Sequence, residues 1–269
     1  MGAFRKFTFC FLIISITIIL VSCGLKNKEV ETFNNETDKI DYTSDEKEKI
    51  AFLTFDDGPS KNTEKILEIL KEENVKATFF VNGRETDFAK KMYTRMIEEG
   101  HTIGNHTYSH EYKKIYRSEE NFMADVEKLN RHIYDITGYN TDIFRFPGGS
   151  NNIINRKYSN SSKNEFMERL SKKITNSGYS YIDWTVDSKD ATKSTEKVEV
   201  IVSSTLSEAL SQKYPVILFH DAPAKTTTVE ALRTIIKSLK SNGYKIESLS
   251  KDSPVKPQFL KIKKEEILK

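Results

Sequence analysis

An apolar run, Ile50-Ala51-Phe52-Leu53, leads directly into Thr54-Phe55-Asp56-Asp57-Gly58-Pro59. The run reads as a buried strand, and Gly58-Pro59 turns the chain at its end. Two adjacent carboxylates in such a place constrain the fold, because like charges that close cannot both ionise freely. Either the turn lies on the surface, where Asp-Gly-Pro is ordinary turn chemistry, or the chain brings a cation to it. Both kinds of partner are present: His106 and His110 can ligate a metal, and Arg145 is a fixed cation.

From Ile50 the sequence alternates strand and helix. Strand-like runs are Ile50–Phe55, Ala77–Val81, Thr102–Gly104, Ile143–Phe146, Tyr179–Val186, Val216–His220 and Tyr244–Leu249. Amphipathic stretches separate them; in Thr63–Glu73 the residues Ile66, Leu67, Ile69 and Leu70 form an apolar face. Gly100, Gly138, Gly178 and Gly243 each follow a helical stretch, where a left-handed cap is wanted. Repeated units with apolar strands predict a parallel sheet covered by helices, and about seven of them predict a closed or nearly closed barrel.

Residues 1–23 read as a targeting segment, with Arg5 and Lys6 ahead of an apolar run from Phe7 to Val21. That run is short for a span of about 20 residues. It ends in Leu20-Val21-Ser22-Cys23, which resembles a bacterial lipobox; an uncleaved signal anchor is the alternative. Residues 24–49 are polar and read as a tether. The expected domain is residues 50–250, and residues 251–269 read as a solvated basic tail. Cys10 and Cys23 are the only cysteines, so neither a disulfide framework nor a thiolate metal site is expected. The net charge of +3 is small and does not point to nucleic acid.

Four strand ends carry reactive groups. His106 and His110, spaced four apart, would share a face on a helical turn. With the acidic pair they form an Asp-His-His set suited to a divalent metal, although many such histidine pairs are merely exposed. Arg145 lies between Phe144 and Phe146, and a buried arginine needs a carboxylate. Gly148 allows close backbone approach, so its N–H can serve an oxyanion. Asp183-Trp184-Thr185-Val186-Asp187-Ser188-Lys189-Asp190 holds three acids and the only tryptophan, which reads as core more readily than as a sugar platform. Val216-Ile217-Leu218-Phe219-His220 ends a buried strand in histidine. Such a histidine is usually structural, but active sites of βα barrels gather at strand C-terminal ends.

Taken together, the segment from Ile50 to about Leu249 resembles the NodB-homology polysaccharide deacetylases, carbohydrate esterase family 4. The resemblance rests on five ordered motifs: Thr-Phe-Asp-Asp-Gly, His-Thr-Tyr-Ser-His, Arg-Phe-Pro-Gly-Gly, Trp184–Asp190 and Leu-Phe-His. It implies a distorted (β/α)7 barrel and a metal-dependent hydrolase of N-acetyl groups. Asp57, His106 and His110 would hold one divalent ion, zinc first, with cobalt or another divalent ion as alternatives. Asp56 would be the general base, oriented by Arg145. His220 would be the general acid, tethered by Asp190. Leu218 would line the pocket for the acetyl methyl. Two positions depart from the pattern: an aromatic residue often stands where this chain has Gly148, and a tryptophan where it has Ala191.

The expected substrate is peptidoglycan, at N-acetylglucosamine or N-acetylmuramic acid. Another acetylated polysaccharide, a chitooligomer, or a different amide or ester is the alternative. A non-catalytic glycan-binding lipoprotein of the same fold would be expected to have lost a ligand or the base, and none is lost here. The metal and Arg145 are expected to lower the pKa of Asp56, and Asp190 to raise that of His220. The chain is expected to be a monomer on the outer face of the cell membrane, held by lipid on Cys23. If so, Cys23→Ala should release the protein from the membrane or leave its leader uncut; unchanged retention and mature mass would contradict the anchor.

Overall fold

The computed structural model describes residues 48–159 and 165–261. The expected leader, the tether and Cys23 lie outside the described residues. Strand β1, Lys49–Asp56, is buried from Ala51 to Asp56. It pairs in parallel with β2 (Thr78–Val81), β7 (Val216–His220) and β8 (Tyr244–Glu247). Beyond β2 the sheet runs through β3 (Thr102–Asn105) and β4 (Ile143–Phe144) to β5 (Ser180–Tyr181); beyond β7 it ends in β6 (Val186–Asp187). The resulting curled parallel sheet is the expected NodB-type barrel.

One expected strand is two. Tyr179–Val186 was a single apolar run in the sequence, but β5 and β6 occupy opposite edges of the sheet. Residues 182–185 cross between those edges: the Ile182 N–H donates to Phe144 O at 2.8 Å and the Thr185 N–H to Val216 O at 2.9 Å. A hydrophobic run alone does not say which strand satisfies its backbone groups.

Helices α1 (Lys61–Glu72), α2 (Asp87–Glu98), a short α3 (Tyr112–Ile115), α4 (Glu119–Thr137), α5 (Glu165–Asn176), α6 (Val198–Ala209) and α7 (Thr226–Ser241), with a 3-10 turn at Ile154–Lys157, complete the described elements. Ser60 caps α1 by accepting from the Asn62 N–H at 3.0 Å, and Ile66, Leu67 and Leu70 bury its apolar stripe. Gly138 ends α4 in the left-handed region, φ 71°, where a side chain on Cβ would be strained.

The strand period of two decides what enters the barrel. Ala51, Leu53 and Phe55 join the core beneath the helices, with Ile217 and Phe219 of β7 and Phe79 of β2. Phe55 stacks between Phe79 and Phe219, with ring centroids 5.3 and 5.5 Å away. The alternate residues Phe52, Phe80 and Val216 form a second, interior cluster with Ile182 and Leu249. By the same alternation Thr54, Asp56, Leu218 and His220 face inward. The register then sets Asp56 beside both Phe80 and His220.

The expected solvated tail docks over part of its length. The Asp183 N–H donates to Pro257 O at 2.7 Å, the Phe259 N–H to Asp183 Oδ2 at 2.8 Å, and the Leu260 N–H to Ser150 Oγ at 2.9 Å. Phe259 also packs edge-on against Trp184 at 4.9 Å. The buried Asp183 carboxylate needs donors, and these residues supply one.

His101, outside all the sequence motifs, is buried against the edge of Phe79 and accepts from the Ala77 N–H through Nδ1 at 3.1 Å. Burial, with Lys76 adding to it, lowers its pKa to about 4. A histidine held neutral in the fold stabilises fully above its unfolded pKa, and that stability is lost as pH falls below about 6.5 towards 4. Between pH 7 and 5 the metal-free protein should lose about 2 kcal/mol through this residue. Urea unfolding at the two pH values should show a correspondingly smaller loss in His101→Asn.

Candidate active site

Arg145 follows β4 and is fully buried. Its Nη1 donates to Asp56 Oδ1 at 2.9 Å and to Thr54 Oγ1 at 2.7 Å. Its Nε donates to Ile182 O at 3.0 Å and its Nη2 to Asp183 O at 2.8 Å. The guanidinium lies over the Phe80 ring, 4.1 Å from its centroid. A charge so enclosed is tolerable only when its donors are used and a carboxylate faces it. These four hydrogen bonds and the Asp56 carboxylate answer both needs.

Asp57 sits in the left-handed region at φ 79°. Its Oδ1 lies 3.3 Å from His110 Nε2 and 3.7 Å from His106 Nε2. The loop after β3 holds the two histidines, and it is not the helical turn that their spacing implied. Thr107 and His110 have φ 67° and 53°, costly conformations for such residues, of order 1–3 kcal/mol each. Buried amides hold the loop there. Asn82 donates to His106 O at 2.9 Å and to Thr107 O at 3.0 Å, and Asn105 Oδ1 accepts from the Thr107 N–H at 3.0 Å. Asp125 Oδ2 accepts from the Ser109 N–H at 2.8 Å.

These three residues fit a divalent cation. One ligand atom from each lies within 4.8 Å of the others, and Asp57 Oδ1 is a buried oxygen with no hydrogen-bond partner. His106 Nδ1 is 2.7 Å from Arg145 O, so it carries the proton and leaves the Nε2 lone pair free. Burial and the neighbouring His110 lower the pKa of His106 to about 3, which keeps the ring neutral. A metal ligand requires that form.

His220 ends β7. Its Nδ1 donates to Asp190 Oδ1 at 2.8 Å, and its backbone N–H donates to Asp190 Oδ2 at 2.7 Å. Thr228 at the start of α7 donates to the same Oδ2 at 2.9 Å. Burial alone would lower the His220 pKa; the hydrogen bond and charge of Asp190, aided by Asp56 and Asp57, outweigh it and raise the pKa to about 9. Asp187, another acid of the same stretch, pairs instead with Lys189 at 2.8 Å. For Asp56 the charges of the chain itself, without a metal, do not lower the pKa. Burial raises its pKa above the ordinary 3.8, and Arg145 and His220 only oppose the rise. The side chain is 5% exposed, so lost hydration outweighs the neighbouring charges of the chain itself.

Leu218 is buried two residues before His220 on the same strand face. Gly148, at φ 80°, packs against Ile154; a Cβ there would stand 3.0 Å from its side chain and 3.7 Å from the Tyr112 hydroxyl. The Tyr112 ring in turn lies 5.2 Å from that of His110. The nine expected site residues within the described region thus converge on the C-terminal ends of β1, β3, β4 and β7 and the loop after β6.

A polysaccharide deacetylase family model matches residues 43–167. A peptidoglycan-N-acetylglucosamine deacetylase of Bacillus cereus is 31% identical over 76% of this chain and 71% of its own length. The peptidoglycan-N-acetylmuramic acid deacetylase PdaA of Bacillus subtilis is 27% identical over 80% of this chain and 76% of its own. The solved catalytic domain of peptidoglycan N-acetylglucosamine deacetylase from Eubacterium rectale gives a TM-score of 0.73 at 37% identity, covering 80% of this chain and 94% of that domain.

The chain belongs to the polysaccharide deacetylases of carbohydrate esterase family 4. The family is metal-dependent, and Asp57, His106 and His110 are the group that could hold such an ion.

The deacetylase fold also uses polar residues that the motif reading left out. Asn82 and Asn105 stand at the ends of β2 and β3, and their position at strand C-termini was the available signal. Asp183 accepts from the Ser150 N–H at 2.9 Å and the Ser150 hydroxyl at 2.6 Å, and so holds the loop after Gly148. Asp221 lies against Gly58, where a Cβ would stand 2.1 Å from its carboxylate, and accepts from the Thr63 hydroxyl.

The purified deacetylase should bind one equivalent of zinc by equilibrium dialysis. Asp57→Ala or His106→Ala should weaken that binding by more than the roughly 10–100-fold typical of outer-shell changes, whereas Asp56→Asn should retain it.

Proposed function

We propose that the chain hydrolyses N-acetyl groups of cell-wall glycan, with peptidoglycan N-acetylglucosamine or N-acetylmuramic acid as substrate. The observation that carries this reading is the pairing at one strand-end register of Asp56, held by Arg145, with His220, held by Asp190. A base and an acid must begin in opposite protonation states, and their neighbours favour that arrangement. The two relatives named for peptidoglycan support the substrate. Other acetylated glycans and chitooligomers remain the alternative substrates.

Asp57, His106 and His110 would hold one divalent ion, zinc first. When bound, it supplies Lewis acidity towards the acetyl carbonyl and the attacking water. Asp56 accepts the water's proton, and Arg145 holds its Oδ1 so that the other oxygen is presented. The Gly148 N–H donates to the developing oxyanion. Leu218 packs against the acetyl methyl. His220 then delivers its proton to the departing nitrogen, with Asp190 fixing the ring so that Nε2 faces the substrate. Lipid on Cys23 would keep a monomeric enzyme at the outer face of the membrane, beside its substrate.

The acid is competent while His220 is protonated, that is, below about pH 9. The base is competent once Asp56 is ionised, above the ordinary aspartate range. Activity on wall fragments should therefore be bell-shaped with an alkaline limb near 9. Asp190→Asn removes what raises His220, so the limb should move down and turnover should fall about tenfold or more, with metal content unchanged. Asp56→Asn should reduce turnover at least about 100-fold. Acetate release read by mass spectrometry across pH checks both; coincident profiles for wild type and Asp190→Asn would contradict the tether.

A further inference from the structure

Two clefts adjoin beside the metal-ligand set, and they share Lys157 and Tyr158. One, of about 570 Å3, is walled by Tyr112, Ile154, Arg156 and Lys157. The other, of about 500 Å3, is lined by Lys113, Lys114, Arg117 and Lys157, with Glu111 the only acid in its lining. Lys114 pairs with Asp125 at 3.3 Å. Lys113, Arg117, Arg156 and Lys157 are exposed and form no ion pair among the described residues. Side chains of one sign lining a concave surface focus a positive potential within it.

Position narrows what that potential serves. Tyr112 forms the wall of the first cleft, and its ring lies 5.2 Å from His110. Ile154, on the facing 3-10 turn Ile154–Lys157, packs against Gly148. Tyr112 and Ile154 therefore stand between the groove and the candidate site, the one beside His110 and the other beside Gly148. An anion reaching the groove is best carried on the same molecule as the acetyl group, on a neighbouring sugar. The apolar surfaces of Tyr112 and Ile154 suit the C–H faces of such a sugar, while the guanidinium of Arg156 suits a carboxylate.

Resting on the deacetylase reading above, we propose that this groove is a specificity subsite for a carboxylate substituent on the sugar next to the one deacetylated. The chain would thereby prefer acidic wall glycan to neutral N-acetylglucosamine polymers. Arg156 and Lys157 are the main specificity residues, with Lys113 and Arg117 extending the field.

The test measures binding separately from turnover. The metal-loaded full chain in detergent is titrated calorimetrically with three probes: the N-acetylglucosamine–N-acetylmuramic acid disaccharide with a free lactyl carboxylate, its methyl ester, and diacetylchitobiose. Wild type should bind the acid about tenfold tighter than the ester or chitobiose, and added salt should erode the difference. The double variant Arg156→Ala/Lys157→Ala should lose the preference while keeping its affinity for chitobiose. Equal affinity of wild type for acid and ester would overturn the subsite, as would equal loss on all three probes in the double variant or no binding of any probe at millimolar concentration. Acetate release, followed in parallel, separates the two readings. Preferential binding without release leaves the subsite standing and removes the deacetylase reading; release from acid and ester with equal KM does the reverse.

Discussion

The enclosed guanidinium of Arg145 is the interaction on which the site depends. It donates to Asp56 on β1, to Thr54 one inward position earlier, and to two carbonyls of the segment that crosses between β5 and β6. Its own backbone carbonyl accepts from His106. One residue therefore links the candidate base, a candidate metal ligand and the closure of the barrel. Removing one partner of such a buried pair typically costs about 3–5 kcal/mol, because the other charge is left without compensation. The arginine is thus structural and functional for the same electrostatic reason.

Around that centre the fold stores local strain and offsets it with buried polar groups. Asp57, Thr107 and His110 all adopt positive φ, and all belong to the two loops that present the candidate metal ligands. The amides of Asn82 and Asn105 hold Thr107 and the His106 carbonyl in place. Strain of this kind persists only where the surroundings over-determine it. Here it turns side chains inward that an ordinary extended or helical backbone would direct elsewhere.

The two sides of the site differ in how burial is answered. Around His220, Asp190 supplies both a charge and two acceptor oxygens, and the imidazolium wins over desolvation. Around Asp56, the single nearby guanidinium is shared among four acceptors, and burial prevails over it. Neither outcome follows from residue identity alone. The parallel register of β1 with β7 places the two groups opposite one another, so a small difference in surroundings becomes a division of chemical roles.

Much of this was legible in the sequence. Apolar runs separated by amphipathic stretches specified the parallel βα architecture, since strands buried on both faces must be apolar throughout. The clustering of Asp56, Asp57, His106, His110, Arg145, Asp190 and His220 at strand ends located the site, because such barrels expose their reactive side chains there. Tertiary structure decided the rest. It split Tyr179–Val186 between two sheet edges, docked Pro257–Leu260 against Asp183, placed the histidine pair on a strained loop rather than a helical turn, and raised the Asp56 pKa that neighbouring charges alone would have lowered. The physical reason is common to all four. Periodicity and residue type report what a segment prefers locally, whereas hydrogen-bond partners, burial and charge balance depend on which distant segment arrives beside it.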